Sequence, residues 1–228
     1  MKKIVNLAVV ILIAAVIFKA LGDIDSGKNR TLVNETVVGE TYREPYDEKK
    51  YQNYSPESRE YFKEIVLGRE FEEDSKFVKR WNVDMKIYVL GNHTPELDFE
   101  LEKIVFELNE IITSIEIEIV EDSLSSNMLV YFGSWSDFLQ IKPGEDPSLL
   151  RSNWGLFRYS GNSGYMYVDI ERANEIEQRH LLREELTQSL GLFNDSYKYP
   201  ESIFYSPWST VVQYAPIDRE LIDMLYNN

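Results

Sequence analysis

No cysteine occurs among the 228 residues. That excludes a disulfide framework, a thiolate zinc site, an iron–sulfur cluster, a cysteine nucleophile and a lipid-bearing lipoprotein cysteine. Histidine is almost as scarce, with only His93 and His180. Basic charge is also short: 24 Lys+Arg face 39 Asp+Glu, a formal net charge of −15. Residues 1–22 hold three of the lysines and no acid, so the remainder sets 21 basic against 39 acidic groups, or −18. Phosphate backbones and anionic lipid headgroups repel such a body. Nucleic acid is thereby excluded as a partner, and membrane contact is expected only through residues 4–18. There is no phosphate loop, dinucleotide fingerprint or internal repeat, and Ser160-Gly161-Asn162-Ser163-Gly164 lacks the order of a nucleophile elbow. Core material is plentiful: 43% of residues are hydrophobic, including 15 Tyr, 11 Phe and 4 Trp.

Lys2 and Lys3 precede the apolar run Ile4–Phe18, interrupted only by Asn6 and closed by Lys19. This length suits a signal-peptide core and is short for a membrane span. Ala20 and Gly22 supply small residues for cleavage, whereas Lys19 can snorkel in a retained helix. Residues 1–22 therefore read as a signal peptide or a single-span anchor, with everything after Gly22 outside the cytoplasm. Residues 23–54 read as a polar linker, with Tyr42, Tyr46, Tyr51 and Tyr54 available to pack part of it. Residues 55–228 read as one globular domain.

That domain opens with a helix: Ser55 is an N-cap, Pro56 the first helical position and Gly68 the stop. Met85–Leu90 predicts a strand, Leu97–Thr113 an amphipathic helix, and Ile115–Val120 a strand wet on one face. Met128–Phe132 predicts a buried strand, followed by a short helix at Trp135–Leu139. Leu156–Tyr159 and Tyr165–Asp169 flank a turn-rich spacer and predict an antiparallel hairpin. A long helix is expected from about Glu171 to Leu190 and a last one over Asp218–Tyr226. The order predicts an α/β (α+β) domain, a mixed sheet with an antiparallel edge strand and backing helices.

The long helix carries the densest chemistry. At about 100° per residue, His180, Glu184, Gln188 and Gly191 share one stripe, with Glu185 beside it, while Leu182, Leu186 and Leu190 form another. Gly191 can end the helix in the left-handed conformation. A bland reading fits the same residues: Glu184 and Glu185 beside Arg183 as a solvated face with local ion pairs, Gln188 hydrogen-bonded under a loop, and Asn194-Asp195-Ser196 as a turn.

Read as E-E-L-T-Q-S-L-G-L-F-N, residues 184–194 resemble the metzincin zinc-protease signature HExxHxxGxxH. Trp208–Tyr214 resembles the turn that follows the zinc site in that family, and Ala215–Tyr226 its final helix. The resemblance implies a zincin-like fold with a long site helix and a C-terminal helix. It puts Glu185 on the general base and Gly191 on the helix-ending glycine, with Asp195 a frequent neighbour. Glu184, Gln188 and Asn194 fall where the family has its three His ligands. A second, closer resemblance is to a bacterial exported family known as domain of unknown function 2927, over Tyr61–Trp81, Glu184–Asp195, Pro200–Phe204 and the final helix. It covers roughly residues 56–228 and implies no activity.

Gln and Asn are weak neutral donors, so two of the three ligand positions are poor for zinc. Glu184 and His180 stand one turn apart, but a site on that pair would leave Glu185 misplaced over the bound water. The expectation is an exported binding or assembly module without catalytic zinc and with no cofactor, taking an extended peptide or a protein partner by strand addition. The alternative is a metal-dependent hydrolase or peptidase in which Glu184, Gln188 and Asn194 or Asp195 hold calcium, magnesium or zinc, with Glu185 as the base.

Overall fold

A computed structural model of the chain describes residues 42–67 and 76–228. The expected signal or anchor, residues 1–22, and the stretch up to residue 41 lie outside the described residues, as does Gly68, the expected stop of the first helix. Along the described chain the elements are β1 (Tyr42–Pro45), a 3-10 turn at Glu48–Tyr51, α1 (Pro56–Leu67), β2 (Phe77–Arg80), β3 (Met85–Gly91), α2 (Pro95–Asn109), β4 (Ile117–Ile119) and β5 (Met128–Gly133). They continue as α3 (Trp135–Ile141), α4 (Pro147–Ser152), β6 (Gly155–Ser160), β7 (Ser163–Asp169), α5 (Glu175–Gln188) and α6 (Pro216–Tyr226).

Five strands form the main sheet in the order β4-β3-β5-β7-β6. Four are parallel, and the edge strand β6 runs antiparallel to β7. The mixed sheet with an antiparallel edge strand, backing helices, long site helix and C-terminal helix is thus present as the sequence predicts. Ser160 pairs with Ser163 across the two-residue turn Gly161-Asn162, where Gly161 takes φ 62°. A two-residue turn of this kind favours residues that tolerate positive φ.

Strand alternation sends Val130, Phe132, Met166 and Val168 into the larger core, shared with α1, α2, α5 and α6. Tyr131, Leu156 and Tyr167 point the other way and pack with Phe138 of α3 and Leu150 of α4. Both faces of the central strands are covered, which explains their continuous apolar runs.

Part of the stretch expected as a linker is structured. β1 pairs antiparallel with β2, and Tyr51 is buried on Phe62 with ring centroids 4.8 Å apart. β1, β2 and α4 were not legible in sequence patterning, because each is only 4 to 6 residues long and none carries a sustained alternating or continuous apolar run. The long helix starts at Glu175, later than expected. Asp169 holds the preceding turn by accepting from the backbone N–H groups of Glu171 and Arg172, and Asn174 with Glu177 forms a capping box.

The C-terminal end of α5 is fastened by two distant aromatic residues. The Trp81 indole donates to the Ser189 carbonyl at 2.9 Å, and the Tyr226 hydroxyl donates to the Leu190 carbonyl at 2.8 Å. The Trp81 backbone N–H in turn donates to Tyr226 Oη at 3.3 Å. These donors serve carbonyls that a helix end leaves without an intrahelical partner. Gly191 takes φ 128°, and a β-carbon there would lie 2.2 Å from the Lys79 carbonyl oxygen. Tyr226→Phe should therefore lower stability by about 1–3 kcal/mol, the cost of leaving buried polar groups unpaired. Gly191→Ala should lower it further. Urea unfolding measures both, and an unchanged Tyr226→Phe midpoint would contradict the fastening.

Candidate functional site

α5 is divided lengthwise by chemistry. On one side Arg183, fully buried, donates to Glu100 at 2.8 Å and Glu107 at 2.5 Å, both on α2. Arg179 adds a 2.9 Å bond to Glu100. Burial works to raise the Glu100 carboxyl, but its bonds to Arg183 and Arg179 outweigh that and hold it below the usual range. Tyr214 completes this side: its ring lies 4.5 Å from the Arg183 guanidinium carbon, and its hydroxyl meets Thr187 Oγ1 at 2.7 Å. The reading of Arg183 as part of a solvated face with local ion pairs is corrected here. It ties α5 to α2 rather than neutralising its neighbours Glu184 and Glu185.

Among the described residues, the other side has no such arginine pairs. Glu184 and Glu185 are half-buried near the edge hairpin. Burial, then the Glu185 and Asp195 charges, push the Glu184 carboxyl well above its usual range. Burial, then Asp195, push Glu185 up to about 8, with Arg158 opposing. Asp195 is solvent-exposed, and its carboxyl is raised by the protein bulk around it against a lowering bond from Gln188. Glu185 reaches this position because β6 begins with glycine. A β-carbon on Gly155 would lie 2.4 Å from Glu185 Oε1. A glycine opening a strand can signal such close approach, and this was the available sequence signal for Gly155.

The remaining sequence-derived site residues divide. Gln188 Nε2 donates to Asp195 Oδ1 at 2.6 Å, joining both to the acidic group. His180 Nε2 lies 3.4 Å from Glu184 Oε2, while its Nδ1 is 2.6 Å from the Val211 carbonyl oxygen. Burial, partly offset by that carbonyl, lowers the His180 pKa and favours the neutral ring. Asn194 is turned elsewhere: its amide Nδ2 donates to the Ile65 carbonyl of α1 at 2.8 Å. Gly191 serves the helix end rather than the acidic group.

Zinc or a hard cation fits these residues poorly. Asn194 and Gln188 hold the Ile65 carbonyl and Asp195 through their amide nitrogens, and their oxygens are weak neutral donors to a metal. Among the described residues, no three His, Asp or Glu side chains are grouped as a metal ion requires.

Aromatic rings line the approach. Phe193 stacks on Phe157 and Tyr159 of β6, with centroids at 6.1 and 5.4 Å. Trp154, just before Gly155, makes an edge contact at 4.9 Å with the exposed Trp208. Tyr214 belongs to the buried Arg183 side, whereas Trp208 is exposed beside Trp154. A further polar knot, missed in the sequence, lies beneath: Asp218 accepts from Ser202 at 2.5 Å and from the Ala215 N–H at 2.8 Å, and Ser202 also bonds Tyr61 at 2.9 Å.

Fold and site together define a mixed α/β domain whose edge hairpin feeds a helix bearing uncompensated carboxyls. The family model for Protein of unknown function (DUF2927) matches residues 56–228, and the chain belongs to that family. No curated protein matches it. Among solved structures it is similar to a crystal structure of myroilysin, with 12% identity, TM-score 0.43, and coverage of 77% of this chain and 97% of that one. A second myroilysin structure has 12% identity, TM-score 0.40 and coverage of 65% and 96%. Archaemetzincin from Methanopyrus kandleri has 11% identity, TM-score 0.39 and coverage of 62% and 95%.

A carboxyl raised on folding binds more protons folded than unfolded, so its contribution to stability is full at acid pH and is lost as pH rises. For Glu185 the loss runs from its ordinary value up to about 8, and for Asp218, raised chiefly by burial, up to about 6. The domain should be less stable at pH 8 than at pH 5. Glu185→Gln should recover about 1–2 kcal/mol at pH 8 and little at pH 4. Thermal midpoints across pH test this; a Glu185→Gln effect independent of pH would contradict it.

Proposed function

We propose that this chain is an exported binding module whose ligand is an extended peptide or protein segment laid along β6. The observation that carries the reading is the position of β6. Among the described residues it ends the sheet with β7 as its strand neighbour, and its first residue lies against Glu185. An edge strand offers unpaired backbone groups to an incoming strand. In a hairpin closed by the Ser160–Ser163 pair, alternation directs the backbone groups of Gly155 and Phe157 away from β7; the Phe157 carbonyl accepts from the Arg158 side chain at 3.2 Å, which an incoming strand would displace. Trp154, Trp208 and Phe193 border the same approach and offer contacts for alternate side chains.

The donor set supports binding rather than metal-assisted hydrolysis, since Gln188 and Asn194 could offer a metal only their weak neutral amide oxygens, while their nitrogens are bonded elsewhere. The apolar run Ile4–Phe18 after Lys2-Lys3 supports export, by cleavage or by anchoring. Nucleic acid is not a partner in this reading, because the acidic body repels it.

Hydrogen exchange with a pool of unstructured ten-residue peptides tests the reading. Protection should appear at the Phe157 amide and leave α2 unchanged. Protection confined to other elements, or none at millimolar peptide, would sink strand addition. In parallel, the purified chain should hold clearly less than one equivalent of zinc. A peptidase activity abolished by both chelator and Glu185→Gln would establish the hydrolase alternative instead.

A further inference from the structure

α2 has an outer face that contradicts its own amphipathic pattern. Leu97, Leu101, Ile104, Val105 and Leu108 are buried as the period requires. Yet Phe99 and Phe106 stand 68% and 65% exposed. Seven residues apart, they share one line about 10 Å long on the helix surface. Isolated exposed apolar residues need no explanation, but two phenyl rings on one helical line, in a helix otherwise well sorted, make a candidate contact surface.

The charge around this line selects the partner. Glu96, Glu102 and Glu110 are exposed beside the two rings. Lys103, the one base on the helix, lies 4.0 Å from Glu100 and 3.9 Å from Glu107 and is engaged by its own helix. A second copy of this chain would bring the same acids against these acids, and an anionic membrane would repel them. We propose that the outer face of α2 docks a basic amphipathic helix of another protein. Apolar residues at helical spacing would cover Phe99 and Phe106, and Lys or Arg beside them would meet Glu102 and Glu110. The face belongs to α2 and shares no residue with the β6 approach, so it operates whether or not β6 binds peptide.

The test uses the full chain, carried in zwitterionic nanodiscs with empty discs as the blank. The probe is a 14-residue Leu/Lys amphipathic helix with leucines at i, i+3, i+4 and i+7 spacing. Binding should weaken with salt. Phe99→Ser/Phe106→Ser and, separately, Glu102→Lys/Glu110→Lys should each weaken it at least tenfold. All four side chains are exposed, so the thermal midpoint should stay put in both variants. Glu171→Lys/Glu175→Lys, a charge reversal elsewhere on the surface, should change binding less than threefold. Unchanged binding in either α2 variant would overturn the proposal. So would an equal loss in the Glu171/Glu175 control, or self-association of the wild type that Phe99→Ser/Phe106→Ser abolishes.

Discussion

Two aromatic donors on the carbonyl end of α5 fix the geometry on which the site depends. Trp81 and Tyr226 lie far from the helix in sequence, yet their N–H and O–H groups serve the Ser189 and Leu190 carbonyls. Trp81 follows β2 directly, and Tyr226 ends α6. One helix terminus thereby ties the ribbon, the final helix and the site helix together. Gly191 is the residue that lets the chain leave this junction under the Lys79 carbonyl. The direction in which α5 presents Glu184 and Glu185 follows from that fastening.

The two sides of α5 solve the problem of half-buried charge in opposite ways. Toward α2, Glu100 receives two arginines and is held ionised despite burial. Toward β6, burial and the neighbouring carboxylates raise Glu184 and Glu185, and the Asp195 carboxyl is raised as well. Leaving such groups uncompensated costs stability at neutral pH, while the paired side anchors the helix against that cost. Strain of this kind concentrates where a protein meets a ligand more often than in a purely structural element.

Much of this was legible in the chain itself. Strand and helix order, the hairpin and the stripe of His180, Glu184 and Gln188 follow from periodicity and turn residues, because long periodic segments carry repeated signal. The helix boundaries shifted where side-chain caps decide them, as at Asn174. What was not legible were contacts between residues distant in sequence. Arg183 looked like the partner of its neighbours, but the fold carries it to Glu100. Asn194 fell on a ligand position in the resemblance to metzincins, but its amide holds α1 through Ile65. Gly155 marks a close approach in the sequence, but its partner Glu185 is set only when β6 and α5 pack.

The most direct measurement of the central claim, that the fastened helix presses an uncompensated Glu185 against the edge strand, is the titration of its carboxyl carbon by NMR. The packing described here predicts a midpoint at about 8. Asp195→Asn should move it downward by removing a nearby charge. A Glu185 that titrates in the ordinary glutamate range and ignores Asp195→Asn would contradict the account.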